Sequence, residues 1–412
     1  MYFAFLALLI GLLLLVVQKP FYGTLTTLII ISLGPAIDPS VGSNIKFGVI
    51  AAIFLVVATN ALRHYKVSIY AIVFMVLALV KEIIGYTLGF TMQSFMLSIY
   101  VYVVIFGIAY FNFLDIKARG INFWDQYQIY IIICLAIQFY RAIFDFSFFG
   151  LATMKGDGMY QELYEYGGEL FRPSSLQGCI VYAIELGVFI GITILKEGIN
   201  KKNSIILIVA TIGLLLTYSR SGLLIFFISV IFYLVRSRKT SFLPIALIAF
   251  VVYLLANIGY SDRLNESLDF GSETYQTRFT SIATVLGKIS SFNFFECIFG
   301  VGYGMANYIG ENGLIAYYVE NYYLSLIINS GFVTLILMIF YSIYIIFEGR
   351  KKKLSDTVVF VALLIVNFLA CSLLTYSVQI LFWMLSLSIL YDGHSPLAVK
   401  THKLKRSALH RL

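Results

Sequence analysis

The chain has 412 residues, 60% of them hydrophobic and only 12% charged, and its mean hydropathy is +0.90. So few charges cannot cover the surface of a soluble protein of this length, so the composition excludes an ordinary water-soluble domain and points to a bilayer. The net charge of +8, from 29 basic and 21 acidic residues, reads as a topology signal and does not imply a nucleic-acid partner.

A helix needs about 20 mostly apolar residues to cross hydrocarbon. In chain order the candidate spans are 1–17, 21–37, 45–62, 67–83, 94–113, 127–148, 175–195, 204–218, 221–235, 242–258, 322–347, 357–373 and 376–391. Thirteen is the best count, within a range of twelve to fourteen because several are short. The expected fold class is therefore all-α, a polytopic integral membrane protein forming one domain over 1–412. The first span lacks a positive start and a small-residue cleavage site, so it reads as a retained helix and not as a secretory signal.

Basic residues orient the spans. With loops 18–20, 63–66, 114–123, 196–203, 236–241 and 348–356 and the tail 392–412 on the cytoplasmic side, that side holds 20 of the 29 Lys and Arg. The tail, with "KTHKLKR", suits anionic lipid. The opposite side then carries the two longer connections, about 150–174 and 259–321, so chemistry on a sizeable substrate is expected there. Within the second, Phe279, Ile282, Leu286 and Ile289 recur at helical spacing and predict an amphipathic helix resting at the interface.

Several chemistries are excluded on that side. The only histidines, His64, His394, His402 and His410, all fall in cytoplasmic loops or the tail, which leaves no imidazole for acid-base work or metal binding outside. The four cysteines define neither a disulfide framework nor a zinc site. Asp-x-Asp, Walker and Gly-x-Ser-x-Gly motifs are absent. "FGVGYG", 299–304, follows no strand, so it is not a nucleotide fingerprint; it reads as a close-approach loop just outside the membrane.

Arginine is what the outer side does have: Arg172 in "LFRPSS", Arg220 in "TYSRSG" and Arg278 in "YQTRFTS". A guanidinium is always charged and its planar fork suits phosphate, so the three can hold an anionic group; each can equally snorkel to lipid headgroups. Charges also occur inside or near the ends of spans: Glu185 near mid-span, and Lys81, Glu82, Arg141 and Asp145 near outer ends. A carboxylate at the depth of Glu185 needs a partner or a proton, for structure or for function. The run "DGMYQELYEYGGEL" can grip sugars or simply be solvated.

Four stretches, in order, resemble the O-antigen polymerase and O-antigen ligase superfamily of bacterial surface-polysaccharide enzymes. They are "FRPSSLQG", "LTYSRSGLL", "RFTSIATVLGKISSFNFFECIFGVGYG" and "VENYYLSLIINSGFVTL". The last keeps the ligase spacing of a small polar residue, nine residues, Gly, two residues and Gly, Thr or Tyr, as Asn321, Gly331 and Thr334, but Glu320 stands where the ligases carry His. The resemblance covers about 172–334. It implies a metal-independent membrane glycosyltransferase of the helical C type, needing no cofactor, at the outer face of a bacterial inner membrane. Its donor would be an oligosaccharide on undecaprenyl pyrophosphate, and a chain-length regulator and a flippase would be its partners. The pyrophosphate role carries over most directly to Arg220 and Arg278, and after them to Arg172. Glu320 is the candidate base, and Asn321, Gly302 and Tyr303 line the substrate. The missing His favours a polymerase over a ligase, and Glu185 keeps a lipid-linked oligosaccharide flippase or transporter in view. At Glu320 a carboxylate also suits a helix N-terminus on electrostatic grounds alone.

Overall fold

The computed structural model describes residues 2–33, 39–143, 179–200, 202–217, 219–237, 273–302, 321–352, 355–368, 373 and 375–391. The described residues are helical throughout, with no strand. In chain order the helices are α1 (Tyr2–Gln18), α2 (Gly23–Leu33), α3 (Pro39–His64), α4 (Ile69–Thr87), α5 (Met92–Ile99), α6 (Phe106–Ala118), α7 (Phe123–Ile143), α8 (Cys179–Glu197), α9 (Ser204–Leu216), α10 (Arg220–Ser237), α11 (Glu273–Ser290), α12 (Phe294–Phe299), α13 (Tyr322–Lys352), α14 (Asp356–Val366) and α15 (Tyr376–Tyr391). One 3₁₀ turn, Pro20–Tyr22, leads into α2, and a π-helical stretch, Tyr100–Ile105, joins α5 to α6. Every predicted span that falls among the described residues is helix, although several are described only in part. Span 242–258, the loop 150–174, residues 259–272 and 303–320, and the tail lie outside them.

Among the described residues, four stretches are long and apolar enough to cross a membrane: Ile45–His64, Ile69–Thr87, Met92–Ala118 and Tyr322–Lys352. Their packing agrees with a hydrocarbon solvent. In α4 the buried residues are Ala71, Met75, Glu82 and Gly85, while Tyr70, Val73, Val76, Leu77, Val80 and Ile83 face outward. The lower part of α13 turns out Phe332, Val333, Leu337, Phe340 and Phe347 in the same way. Apolar surface of this extent is not left to water, whereas lipid accepts it without penalty.

The core is held by close helix approach. Ala183, Gly187 and Gly191 of α8 face Gly222, Ile225 and Ser229 of α10, and the pairings advance in the same direction along both chains, so the two helices run parallel. Small residues at every fourth position let the backbones meet; a Cβ on Gly222 would strike the Ala183 carbonyl.

The basic residues gather at one end of the bundle. Lys196 pairs with Asp356 at 2.9 Å, Arg236 donates to Ser355 at 3.0 Å, and Lys352 donates to the carbonyls of Ile389 and Leu390 at 2.8 and 2.7 Å. Lys117 reaches the carbonyl of Tyr391, and Arg119 bonds Asp115 at 2.8 Å. Cations here satisfy the last carbonyls of their neighbours, which is how helix C-termini are neutralised. Beside them Tyr65 donates to Asp115. Burial first, and then the Asp115 carboxylate, push the Tyr65 phenol up to about 12. The hydrogen bond to Asp115 raises Arg119 as well.

The span read over 322–347 is α13, one stretch of membrane length, and within it two helices meet at Gly331, where φ is +79° and ψ 171°. The amphipathic helix forms as α11, but its stripe splits. Val285 is buried and Ile282 and Ile289 half-buried, whereas Phe279 and Leu286 are exposed. Residues 279 and 286 are two turns apart and share a face, distinct from the one that docks.

Candidate functional site

At the end opposite the basic one, the glycine loop and the broken helix are built against each other. Asn293 caps α12, accepting from the Glu296 amide at 2.9 Å while the Glu296 carboxylate accepts from the Asn293 amide at 2.8 Å. The helix ends after six residues at Gly300, whose φ is +75°. From there the loop presses on α13: a Cβ at Gly300 would collide with the backbone of Ile328–Ser330, and one at Gly331 would collide with the backbone of Ile298 and Phe299. The two glycines thus make one backbone-to-backbone contact, and both positive φ values are ones that side-chain-bearing residues avoid.

The break has a hydrogen-bond account. Gly331 interrupts the helical ladder and leaves carbonyls of the preceding turn without their helical partners; the Val301 amide takes the Ile328 carbonyl at 2.7 Å, and the Thr334 hydroxyl takes that of Ser330 at 2.7 Å. The upper half of α13 is fixed at its start as well. Asn321 accepts from the Leu324 amide at 3.1 Å as an N-cap and donates to the Phe368 carbonyl at 3.2 Å, while the Tyr322 amide donates to the Asn367 carbonyl at 3.0 Å. In the pattern of Asn321, Gly331 and Thr334, the described contacts are therefore a cap, a break and a staple.

Helix α11 completes the junction. Val285 packs on Ile328, with Ile289, Phe292, Val301 and Leu324 around them. The structure thus brings together three of the sequence motifs: the helix that carries Arg278, the loop that carries Gly302, and the helix capped by Asn321. Arg278 lies seven residues before Val285, about 10 Å along the helix axis. Arg220 is held on a different seam. It is the exposed first residue of α10, two positions before the Gly222–Ala183 approach. Arg172, Tyr303 and Glu320 lie outside the described residues.

The junction rests on α4, α5 and the π-helical stretch. Gly302 approaches Ser94 and Phe90, and Phe90 packs on Gly85 of α4. One turn from Gly85, Glu82 is 1% exposed and its Oε1 accepts from Lys81 at 2.7 Å. The same ammonium stands 5.7 Å from the ring centre of Tyr102, whose hydroxyl is 3.0 Å from that of Ser330, next to the break. A π-helical turn re-aims side chains that an α-helix would carry past, and such turns concentrate where function needs it. Glu82 and Lys81 were noted in the sequence only as charges near an outer helix end. Two adjacent opposite charges in an apolar run were the signal that could have singled them out.

Glu185, by contrast, is closed in. It is fully buried; Tyr130 donates to its carboxylate and Tyr127 to its main-chain carbonyl, both at 2.9 Å, and Ser32 lies 2.7 Å from the Tyr130 hydroxyl. The expected partner is therefore present. Among the described residues no group of three or more His, Cys, Asp or Glu is placed to hold a metal ion. Compared with known proteins, the chain matches no family model and no curated protein.

Proposed function

We propose that this chain is a polysaccharide polymerase of a bacterial cytoplasmic membrane, of the helical C type with about thirteen spans. It transfers a glycan from undecaprenyl pyrophosphate to a sugar hydroxyl of a second lipid-linked repeat unit, on the outer side. The observation that carries the reading is the meeting of three motifs at the bundle end opposite the basic residues: Arg278's helix, the glycine loop and the Asn321 helix. The resemblance drawn from the sequence gives those stretches a common purpose.

The acceptor hydroxyl attacks the anomeric carbon, and its proton passes to Glu320, the residue directly before the Asn321 cap. The anomeric carbon–oxygen bond to the pyrophosphate breaks, and the lipid pyrophosphate departs with the electron pair. Arg220, Arg278 and Arg172 neutralise the charge that grows on it, so the leaving group is stabilised by fixed cations. A single displacement inverts the anomeric centre. Asn321 reaches this chemistry through its helix cap, and Gly302 and Tyr303 contact the substrate, as the resemblance implies. The resemblance also brings a chain-length regulator and a flippase as partners.

Deleting the gene and running the surface polysaccharide on a gel tests the reading. A single repeat unit on the core, or accumulated lipid-linked single units, is the expected result. Complete polymer stranded on its lipid would make it a ligase, and loss of all outward-facing units a flippase. In the complemented strain Glu320→Gln should abolish polymer at normal protein level; chain lengths like the wild type would remove Glu320 from the base role.

A further inference from the structure

Helix α11 has three faces with different surroundings. Ile282, Val285 and Ile289 form the docked face, where Val285 packs on Ile328. Thr280, Thr284 and Lys288, each four residues from the next, form an exposed polar edge on the side away from Phe279 and Leu286. Phe279 and Leu286 are 58% and 51% exposed, although they are as apolar as the docked residues. The next helix, which starts after residues 291–293, extends this uncovered surface. Phe294 and Phe295 of α12 are 73% and 54% exposed, and their rings meet edge to face at 5.8 Å.

What covers these side chains follows from their neighbours. Phe295 lies one turn before Phe299, whose backbone meets Gly331. The residues directly after Gly331, Phe332 and Val333, belong to the outward apolar face of α13. The uncovered surface of α12 therefore adjoins one that already faces hydrocarbon. Helix α11 in turn is apolar on one free side and carries threonines and a lysine on the other, the pattern of a helix lying between two solvents. A phospholipid surface supplies both, with acyl chains for the rings and phosphates for the Lys288 ammonium.

We propose that α11 and α12 form one lipid-docking unit. Phe279, Leu286, Phe294 and Phe295 enter the phospholipid leaflet at the bundle end opposite the basic residues, to the depth of the headgroup–acyl boundary. Lys288 stays among the phosphates. The glycine loop after α12 is then held from two sides, by Gly331 and by the membrane surface. Arg278 directly precedes Phe279, so the depth of that ring sets the height of the Arg278 main chain. None of this depends on which reaction the protein catalyses.

The test uses the full chain in nanodiscs of phosphatidylcholine and phosphatidylglycerol, with one tryptophan added at a time. The variants are Phe279→Trp, Leu286→Trp and Phe294→Trp, with Thr284→Trp on the polar edge for comparison. All four positions are exposed, so the thermal midpoint should stay at the parent value. Emission beyond that of the parent, which has two tryptophans, is read against lipids brominated near the headgroup or deep in the chain, and against aqueous iodide. The first three should shift to the blue, lose intensity most to the shallow bromines and resist iodide; Thr284→Trp should yield to iodide. Quenching of the first three by iodide and not by bromine would place this surface in water and overturn the proposal. Protection from both quenchers would show it covered by a second copy of the chain, and would overturn it equally.

Discussion

Glu185 and Glu82 are carboxylates of nearly equal burial in two regions treated differently by the fold. Around Glu185 of α8, α2 and α7 supply Ser32, Tyr127 and Tyr130, and nearby Tyr182 donates to Gln138, which donates to the Gly213 carbonyl at 2.8 Å. This is a closed polar network that ties helices together. Around Glu82 one oxygen is held by Lys81 and the other is not, and the neighbouring serines share that condition. A buried charge is thus a weak sign of function by itself: at Glu185 the surroundings complete it, and at Glu82 they complete one oxygen and leave the other.

The largest blow to this contrast should come from Gly331→Ala. It forces a Cβ into the Ile298 backbone at a positive φ, and the expected loss is about 3 kcal/mol or more of stability. Denaturant titration in detergent measures it. Gly287→Ala, where a Cβ meets nothing within 4 Å, should leave stability within about 0.5 kcal/mol. Next comes Tyr130→Phe, which strips Glu185 of a donor and should cost about 1–3 kcal/mol. Ser98→Ala carries the opposite sign: removing a buried hydroxyl that has no partner should raise stability by about 1 kcal/mol, and a fall instead would erase the distinction between the regions.

The smallest effect lies away from both, at Tyr65. Its pKa is 10 when unfolded and about 12 when folded, so folding favours the neutral phenol. The associated stability is full below pH 10 and is lost as pH rises toward 12, and thermal midpoints at pH 9 and 11.5 should differ more in wild type than in Tyr65→Phe.

Helix positions were legible because crossing a bilayer demands long apolar runs, and those runs became helices wherever the structure describes them. The break at Gly331 was not legible as a break. "SGFVTL" is as apolar as a continuous helix, and only the docking of Gly300 gives the bend a reason. The stripe of α11 was misjudged for a related cause. Periodicity shows that residues share a face but not which of two apolar faces meets the bundle, and Val285 won over Phe279 by packing on Ile328. At the candidate site, the spacing from Asn321 to Thr334 was read as a signature, and its described contacts are structural ones. The serines of α5 stayed invisible because a hydroxyl in a helix ordinarily satisfies itself.

The Tyr102–Ser330 hydrogen bond joins residues 228 positions apart. At a synthesis pace of about 5–20 residues per second, the ribosome takes roughly 10–45 s to travel between them. During that interval α4 and α5 have been made but the glycine loop and Ser330 that pack on them have not. The contacts that α5 and the π-helical stretch make with Gly302 and Ser330 therefore form only once about three quarters of the chain has been made.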